Sequence, residues 1–313
     1  DFLEKHEKII ISTHESPDAD GLGSEIGMVY LMRYLGKKPV ILNSDVTPEK
    51  YRFIDIDHEI SVINVNFDVP NDIEDYALLV LDTNDCNNIG KAYTFLKDKV
   101  KEIFVVDHHS GDSGCYQSSF IKEQASSTSE MVYALLKHYN TPIEFKVAQA
   151  LFAGVVFDTG SFRYPKTTAF TFKMASELVE IGVIPFDIFE KLYENNSLAS
   201  FELRTLILSS MEVLFQGRLV VMSMTADMLL KTGAPYEEGE LNINVPLTVK
   251  GVVVSVLVKE DTNGLVKVSM RSKGNYDVSK VALENGGGGH KNAAGYKSKY
   301  KFNDAYAKAI DDV

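Results

Sequence analysis

Val105-Val106-Asp107-His108-His109 runs two β-branched apolar residues straight into an acid and two adjacent imidazoles. That is how a buried strand delivers metal ligands to the end of a parallel sheet, where open α/β folds take their ligands. Three further acidic stretches each close an apolar run: His14-Glu15-Ser16-Pro17-Asp18-Ala19-Asp20, Leu81-Asp82-Thr83 and Phe157-Asp158-Thr159-Gly160. Taken together, His14, Asp18, Asp20, Asp82, His108 and Asp158 offer two imidazoles and four carboxylates. A mixed N/O set of this kind suits Mn²⁺, Mg²⁺ or Zn²⁺ rather than a thiophilic metal. Two such cations ~3.5–4 Å apart share a carboxylate and acidify a water for in-line attack on phosphorus. His109, beside a ligand, can donate to a phosphoryl oxygen where charge develops. Asp107 is better suited to orienting an imidazole.

Each acid has a plainer reading when taken alone. Asp18 or Asp20 could cap a helix, and Asp82 could cap a turn. His108 alone would pass for a satisfied core histidine. What argues against these readings is recurrence, because the acids close buried runs four times. His6, His58 and His138 lack that context and read as structural or solvated.

Elements that could position these groups follow from periodicity. Lys8–Thr13, Lys38–Asn43, Tyr76–Leu81 and Glu102–Val106 read as buried strands. Helical patterns occupy Gly21–Leu35, Asn88–Leu96, Met131–His138, Lys146–Phe157, Thr168–Ile181 and Pro185–Asn195. Ser127 and Glu130 stand at capping-box spacing. Strands alternating with helices predict a parallel sheet covered on both faces. A connecting helix from Ser200 to Met211 precedes a second region. There a strand (Arg218–Thr225) and a hairpin (Val252–Lys259, Leu265–Arg271) turn across Asn263-Gly264, a favoured pair. The run Gly286-Gly287-Gly288-Gly289-His290 allows close backbone approach to a phosphate or base, or is simply a flexible loop. Arg271 ends a strand with a guanidinium suited to bidentate phosphate contact.

Composition narrows the classes. Apolar residues make up 45% and charged residues 24% of the 313, enough for two ordinary globular cores. No apolar run reaches the ~18 residues of a membrane span, and no signal peptide is visible. The two cysteines, Cys86 and Cys115, argue against a disulfide framework and for a reducing cytosol. Net charge is −12, but residues 211–313 hold 13 Lys+Arg against 12 Asp+Glu, while the first 210 hold 19 against 32. A protein tracking long duplexes would be basic. The acidic part suits divalent cations. The near-neutral part, with Arg271, Lys273, Lys280 and Lys291, suits a small anion.

These motifs, in this order, resemble the DHH phosphoesterase family, and more narrowly its two-domain nano-RNase/pAp phosphatase group. His14–Asp20, Asp82, Asp107–His109 and Asp158 match the DHH-domain pattern. Arg271-Ser272-Lys273 and Gly286–Gly295 match the DHH-associated C-terminal domain. The resemblance implies an α/β architecture: a parallel-sheet DHH domain with helices on both faces (1–190), a linker helix (191–210) and a smaller α/β DHH-associated domain (211–313), with the active site in the cleft between domains. It implies one metal on His14, Asp18 and Asp82 and another on Asp20, Asp82, His108 and Asp158, most simply Mn²⁺ with Mg²⁺ or Co²⁺ as alternatives. His109 would contact the scissile phosphate; Asp107, His109 and Asp82 are the expected catalytic residues. Arg271, Ser272, Gly287, Gly288, Gly289 and His290 would bind substrate. The implied substrates are very short oligonucleotides, linear dinucleotides such as pApA, and pAp. The expected setting is cytoplasmic, with no membrane or long-duplex partner, and a homodimer is compatible with it. The competing readings are a dedicated pApA/cyclic di-AMP phosphodiesterase, an inorganic pyrophosphatase or polyphosphatase, and an inactive nucleotide sensor.

Overall fold

The computed structural model describes residues 2–65, 67, 69–111 and 114–313, excepting the side chain of His290. Its chain forms two compact units, Asp1–Asn195 and Asn196–Val313.

The first unit opens with a short helix α1 (Phe2–Lys5) and then alternates strands with helices: β1 (Lys8–Ser12), α2 (Ala19–Tyr34), β2 (Lys38–Asn43), β3 (Ile60–Val62), β4 (Ala77–Leu81), α3 (Lys91–Leu96), β5 (Ile103–Asp107) and β6 (Ser118–Ile121). Helices α4 (Thr128–His138), α5 (Phe145–Asp158), α6 (Ala169–Glu180) and α7 (Pro185–Tyr193) complete it. Among the described residues the sheet has six strands in the order β3-β2-β1-β4-β5-β6, every pair parallel. Parallel pairing explains the uniform apolar runs. Ile9, Ile10 and Ile11 are wholly buried, as are all five residues of β4, because helices or loops cover both faces. The four strands expected from the sequence form, and the helical cover is as expected.

Two strands, β3 and β6, had no sequence signal. β3 is three residues long, and β6 is polar and partly exposed at the sheet edge, so neither carries an apolar run. The expected helix Asn88–Leu96 is broken. A 3₁₀ turn spans Cys86–Ile89, Gly90 adopts φ +73°, and the α-helix starts only at Lys91. The order of strands reverses between β1 and β4, so the carboxyl ends of those two strands flank the crevice where doubly wound sheets bind ligands.

The second unit contains α8 (Leu198–Ser209), β7 (Glu212–Leu214), β8 (Leu219–Met224), α9 (Ala226–Thr232), β9 (Val254–Glu260), β10 (Val266–Ser272), α10 (Val278–Glu284), β11 (Gly288–His290), β12 (Ala293–Lys297) and α11 (Phe302–Asp311). The helix read from the sequence as a connection, α8, contributes Leu203 and Ile207 to this unit's core. The sheet order is β11-β12-β10-β9-β8-β7, antiparallel except for β8 with β9. The hairpin across Asn263-Gly264 forms, with Asp261 Oδ1 accepting from the amides of Asn263 and Leu265 at 2.8 Å each. The glycine run is partly strand: Gly288–His290 pairs antiparallel with Ala293–Gly295. A Cβ on Gly287 would lie 2.2 Å from the carbonyl oxygen of Gly295, so the backbones approach too closely for any side chain there.

Cys86 and Cys115 form a disulfide with their Cα atoms 6.1 Å apart. The two cysteines argued against a disulfide framework and for a reducing setting; the pair bonds nonetheless, and at 29 positions apart it carries no spacing signal that would have announced it. No helix among the described residues is long and apolar enough to cross a membrane.

Packing of α2 on α5 is close enough to test. A Cβ on Gly23 would sit 2.4 Å from the backbone oxygen of Ala150, which cannot swing away as a side chain could. Gly23→Ala should therefore lower stability by about 1–3 kcal/mol; a thermal or urea midpoint matching that of the parent would show that the two helices separate freely.

Candidate metal centre

Every ligand expected in the first unit lies in the crevice at the carboxyl ends of β1, β4 and β5. The local sequence explains each placement. Asp18 is the N-cap of α2 and accepts from the amides of Asp20 (2.9 Å) and Gly21 (3.2 Å). Its capping reading and its ligand reading are thus both realised, since its Oδ2 also lies 3.7 Å from His14 Nε2. Asp82 follows β4 with φ +63°, a left-handed conformation that costs a non-glycine residue energy and marks functional sites. Its two oxygens face opposite imidazoles: Oδ2 lies 3.7 Å from His14 Nε2 and Oδ1 lies 3.6 Å from His108 Nε2. His108 Nε2 is also 3.1 Å from Asp158 Oδ2 and 4.0 Å from Asp20 Oδ2. Three overlapping donor groups result, His14/Asp18/Asp82, Asp20/His108/Asp158 and Asp82/Asp107/His108/His109, and the first two contain every expected ligand.

Direct hydrogen bonds do not account for this arrangement. His108 is buried, yet its Nε2 has no hydrogen-bond partner although carboxylates surround it. Donors about 2.1 Å from one cation lie about 3.0–3.4 Å from each other; the separations seen run from 3.1 to 4.0 Å, so a cation would draw most of them slightly inward. The residues present therefore fit a divalent cation in each of the first two groups, with Asp82 between them. Ring orientation is fixed from behind. His108 Nδ1 is 3.3 Å from the Ala125 carbonyl, and His14 Nδ1 is 2.8 Å from the Glu15 carbonyl.

Electrostatics point the same way. Burial raises the pKa of Asp18, with Asp20 adding to the rise and His14 opposing it. Asp20 is raised by burial and by Asp158. Asp82 is raised well above the usual range by burial and by four neighbouring carboxylates. Asp107 behaves differently. Burial acts to raise it, but the bond from His109 prevails and holds it below its ordinary value. Its Oδ1 accepts from His109 Nδ1 at 2.8 Å and from the His108 amide at 2.7 Å. The imidazole that Asp107 orients is thus His109, whose side chain is half exposed.

Several residues of the centre were not singled out by sequence. The N-terminus of α4 donates to Asp20 through the amides of Thr128 (2.7 Å) and Ser129 (2.9 Å), and Thr128 Oγ1 donates to Asp82 Oδ1 at 2.9 Å. Helix amides and the helix dipole favour a carboxylate there. The Ser127/Glu130 spacing did mark this helix start, and Ser127 Oγ accepts from the Glu130 amide. The Glu130 side chain instead binds Ser126 and Thr171, so half of the expected box forms. Asn84 Nδ2 holds the carbonyls of His109 (2.9 Å) and Gly111 (3.1 Å), and Lys166 Nζ donates to the His108 carbonyl at 3.0 Å. His6, expected to be structural, is buried against Glu102 at 3.0 Å.

The expected substrate residues all lie in the second unit. Arg271 is partly exposed near the end of β10, its Nη1 donating to the Met270 carbonyl at 3.1 Å. Ser272 is buried; its hydroxyl donates to the Tyr276 carbonyl (2.7 Å) and accepts from Asn292 (2.8 Å). Gly287, Gly288 and Gly289 lead through β11 to His290, whose side chain lies outside the described residues.

Residues 8–155 match the DHH family, N-terminal domain, and residues 228–313 match the DHHA1 domain. The bifunctional oligoribonuclease and PAP phosphatase NrnA of Thermus thermophilus is 29% identical over 97% of this chain and 89% of its own length. Its namesake from Bacillus subtilis is 28% identical over 96% and 92%. The cyclic-di-AMP phosphodiesterase PdeA of Listeria monocytogenes is 26% identical over 93% of this chain but 44% of its own. Among solved structures, an exopolyphosphatase-related protein from Bacteroides fragilis superimposes with a TM-score of 0.91 at 25% identity, covering 99% of this chain and 93% of that one.

Two measurements follow. Thr128→Val removes the hydroxyl that fixes Asp82 while keeping shape, and should weaken Mn²⁺ binding about 10–100-fold in a calorimetric titration; unchanged affinity would remove Thr128 from the centre. For the metal-stripped protein, folded-state pKa values raised at Asp18, Asp20 and Asp82 mean that the folded state holds extra protons. That contribution is complete below the ordinary carboxylate pKa of about 3.9 and is lost as pH rises through the elevated values. Its melting temperature should fall with rising pH across that window, and added Mn²⁺ should reverse the fall; a profile indifferent to the cation would contradict the charge-crowding account.

Proposed function

This chain belongs to the DHH family, with a DHHA1 domain following its DHH domain, and on that basis we propose that it is a two-metal phosphoesterase. It hydrolyses very short oligonucleotides and linear dinucleotides such as pApA to nucleoside 5′-monophosphates, and removes the 3′-phosphate of pAp. The observation that carries this reading is Asp82, whose two oxygens face His14 and His108 within a complete set of ligands. Full-length similarity to the two NrnA enzymes supports the bifunctional reading over a dedicated cyclic di-AMP phosphodiesterase, whose relative PdeA shares less than half of its own length with this chain.

His14, Asp18 and Asp82 would hold one cation, and Asp20, Asp82, His108 and Asp158 the other; Mn²⁺ is the ion we propose. When bound, the pair supplies Lewis-acid stabilisation of the phosphoryl group and a water acidified for attack. The chain's own residues do the rest. Asp107 holds His109 by Nδ1, which leaves Nε2 as the free nitrogen to meet a phosphoryl oxygen. Asn84 keeps that loop in place through the His109 carbonyl. In the DHHA1 domain Arg271 and His290 bind a phosphate of the substrate, Ser272 fixes the turn after Arg271, and Gly287, Gly288 and Gly289 admit the nucleotide close to the backbone. A polymer-tracking activity is disfavoured by the net charge of −12.

Turnover of pAp, pApA and a labelled RNA pentamer by metal-stripped protein should be absent and should return with Mn²⁺. Hydrolysis of pApA alone would move the reading to dinucleotide-signal degradation, and binding without turnover would make the protein a sensor. Asp82→Ala should abolish activity on all three, and His109→Ala should lower kcat about 10²–10³-fold; an active, folded Asp82→Ala variant would sink the two-metal scheme.

A further inference from the structure

One face of the second unit's sheet carries an unusual concentration of positive charge. Along β10, Lys267, Ser269 and Arg271 alternate onto the same face. Lys259 on β9 stands directly opposite Lys267, and Ser255 stands opposite Arg271. Like charges placed squarely across an antiparallel pair repel, and Lys259 is in addition buried, 2% exposed. A sheet built only for stability would not carry this pair, least of all in an acidic protein.

One carboxylate touches three members of the group. Glu240 comes from a separate 3₁₀ segment, Tyr236–Asn244, and lies over this face. It forms an ion pair with the buried Lys259 and is itself partly exposed. Its Oε2 accepts from Ser269 Oγ at 3.0 Å, and its Oε1 lies 3.6 Å from Arg271 Nη2. Lys297 stands across from Lys267 and Glu237 also acts on Lys259, so Lys259, Lys267, Lys297 and Arg271 face Glu240 and Glu237, an excess of two positive charges. Beside Arg271, the buried Ser255 hydroxyl has no hydrogen-bond partner. An orphaned buried donor next to a partly exposed guanidinium and surplus positive charge describes a place prepared for an anion.

We propose that Glu240, itself anchored by Lys259, is the positioning residue that holds the Arg271 guanidinium ready for a terminal phosphate of the substrate. This rests on the reading of Arg271 as a phosphate ligand. A free arginine side chain must give up about 2 kcal/mol of rotamer entropy when it orders. One already restrained from behind loses less, so the restraint appears as affinity for substrates that carry the phosphate. A carboxylate with no cation of its own would compete with the phosphate for Arg271, whereas one neutralised by Lys259 orients the guanidinium without cancelling its charge.

The test compares pApA with ApA, which lacks the 5′-phosphate. Glu240→Leu with Lys259→Met removes the pair together and leaves no orphaned buried charge, a replacement that buried ion pairs commonly tolerate. In this double variant KM for pApA should rise about tenfold, while kcat on pApA, KM for ApA and the melting temperature stay near the parental values. The single variant Glu240→Gln, which keeps the shape but leaves the Lys259 charge unneutralised, should raise KM for pApA and also lower the melting temperature. Arg271→Ala serves as the control for the underlying reading and should abolish the preference for pApA over ApA. If Arg271→Ala erases that preference and the double variant leaves it intact or strengthens it, the positioning role is overturned while Arg271 keeps its place. If Arg271→Ala itself leaves the preference unchanged, the phosphate-ligand reading fails, and the positioning role fails with it.

Discussion

The first unit depends on one electrostatic problem: several carboxylates share a water-poor crevice. Asp20, Asp82 and Asp107 are buried, and Asp18 and Asp158 stand beside them. Neighbouring charges this close in a low-dielectric setting repel by several kcal/mol per pair. The fold offers partial compensation from fixed dipoles, namely the α4 amides at Asp20 and the α2 amides at Asp18. Two imidazoles and the α4 dipole do not balance the set, which suits the crevice to added cationic charge. Stability and chemistry therefore press on the same residues. The folding energy given up to crowd the acids would be recovered as affinity for a cation bound there.

Sheet topology is what makes the crowding possible. In a parallel sheet all strands end on one side, and at the reversal between β1 and β4 the loops that follow turn away from each other. A short acidic turn after β1, a single acid after β4 and the Asp-His-His run at β5 converge without any of them leaving its own strand end. Asp82 takes the tightest place, and its left-handed backbone is the local cost. The buried apolar residues of β1 and β4 keep that geometry from relaxing.

Much of this was legible in the sequence, for a physical reason. A polar residue that closes a buried apolar run announces both its strand and its position, and so His14, Asp18, Asp20, Asp82 and His108 could be named as candidate ligands that the fold then brings together. Asp158 could be named because a helix of almost uniform apolarity ends on it. What was not legible depends on partners that only topology brings together. The amides of Thr128 and Ser129 carry no residue-type signal, and their acceptor Asp20 is more than 100 positions away. Asn84 acts through backbone carbonyls 25 and 27 positions on. Glu240 looks like any surface acid in a polar segment, and Lys259 like the polar end of a strand, until the sheet register sets Lys259 against Lys267. Strands β3 and β6 escaped because edge strands need not be apolar.

The two units also divide the charge in a way that bears on substrate length. Affinity for a long nucleic acid grows with the number of phosphates met by a basic stripe, and this chain, at −12 overall, has no such excess. Part of its positive charge gathers on the Lys259/Lys267/Arg271 face, where Glu240 lies beside the guanidinium. Binding energy then has to come from a few groups at a terminus and not from the length of a strand. A longer polymer gains nothing from its added phosphates against an acidic surface and is repelled by it, while a substrate of a few nucleotides presents its terminal phosphate with little other charge. Preference for short substrates is, on this reasoning, a consequence of where positive charge is missing as much as of where it is held.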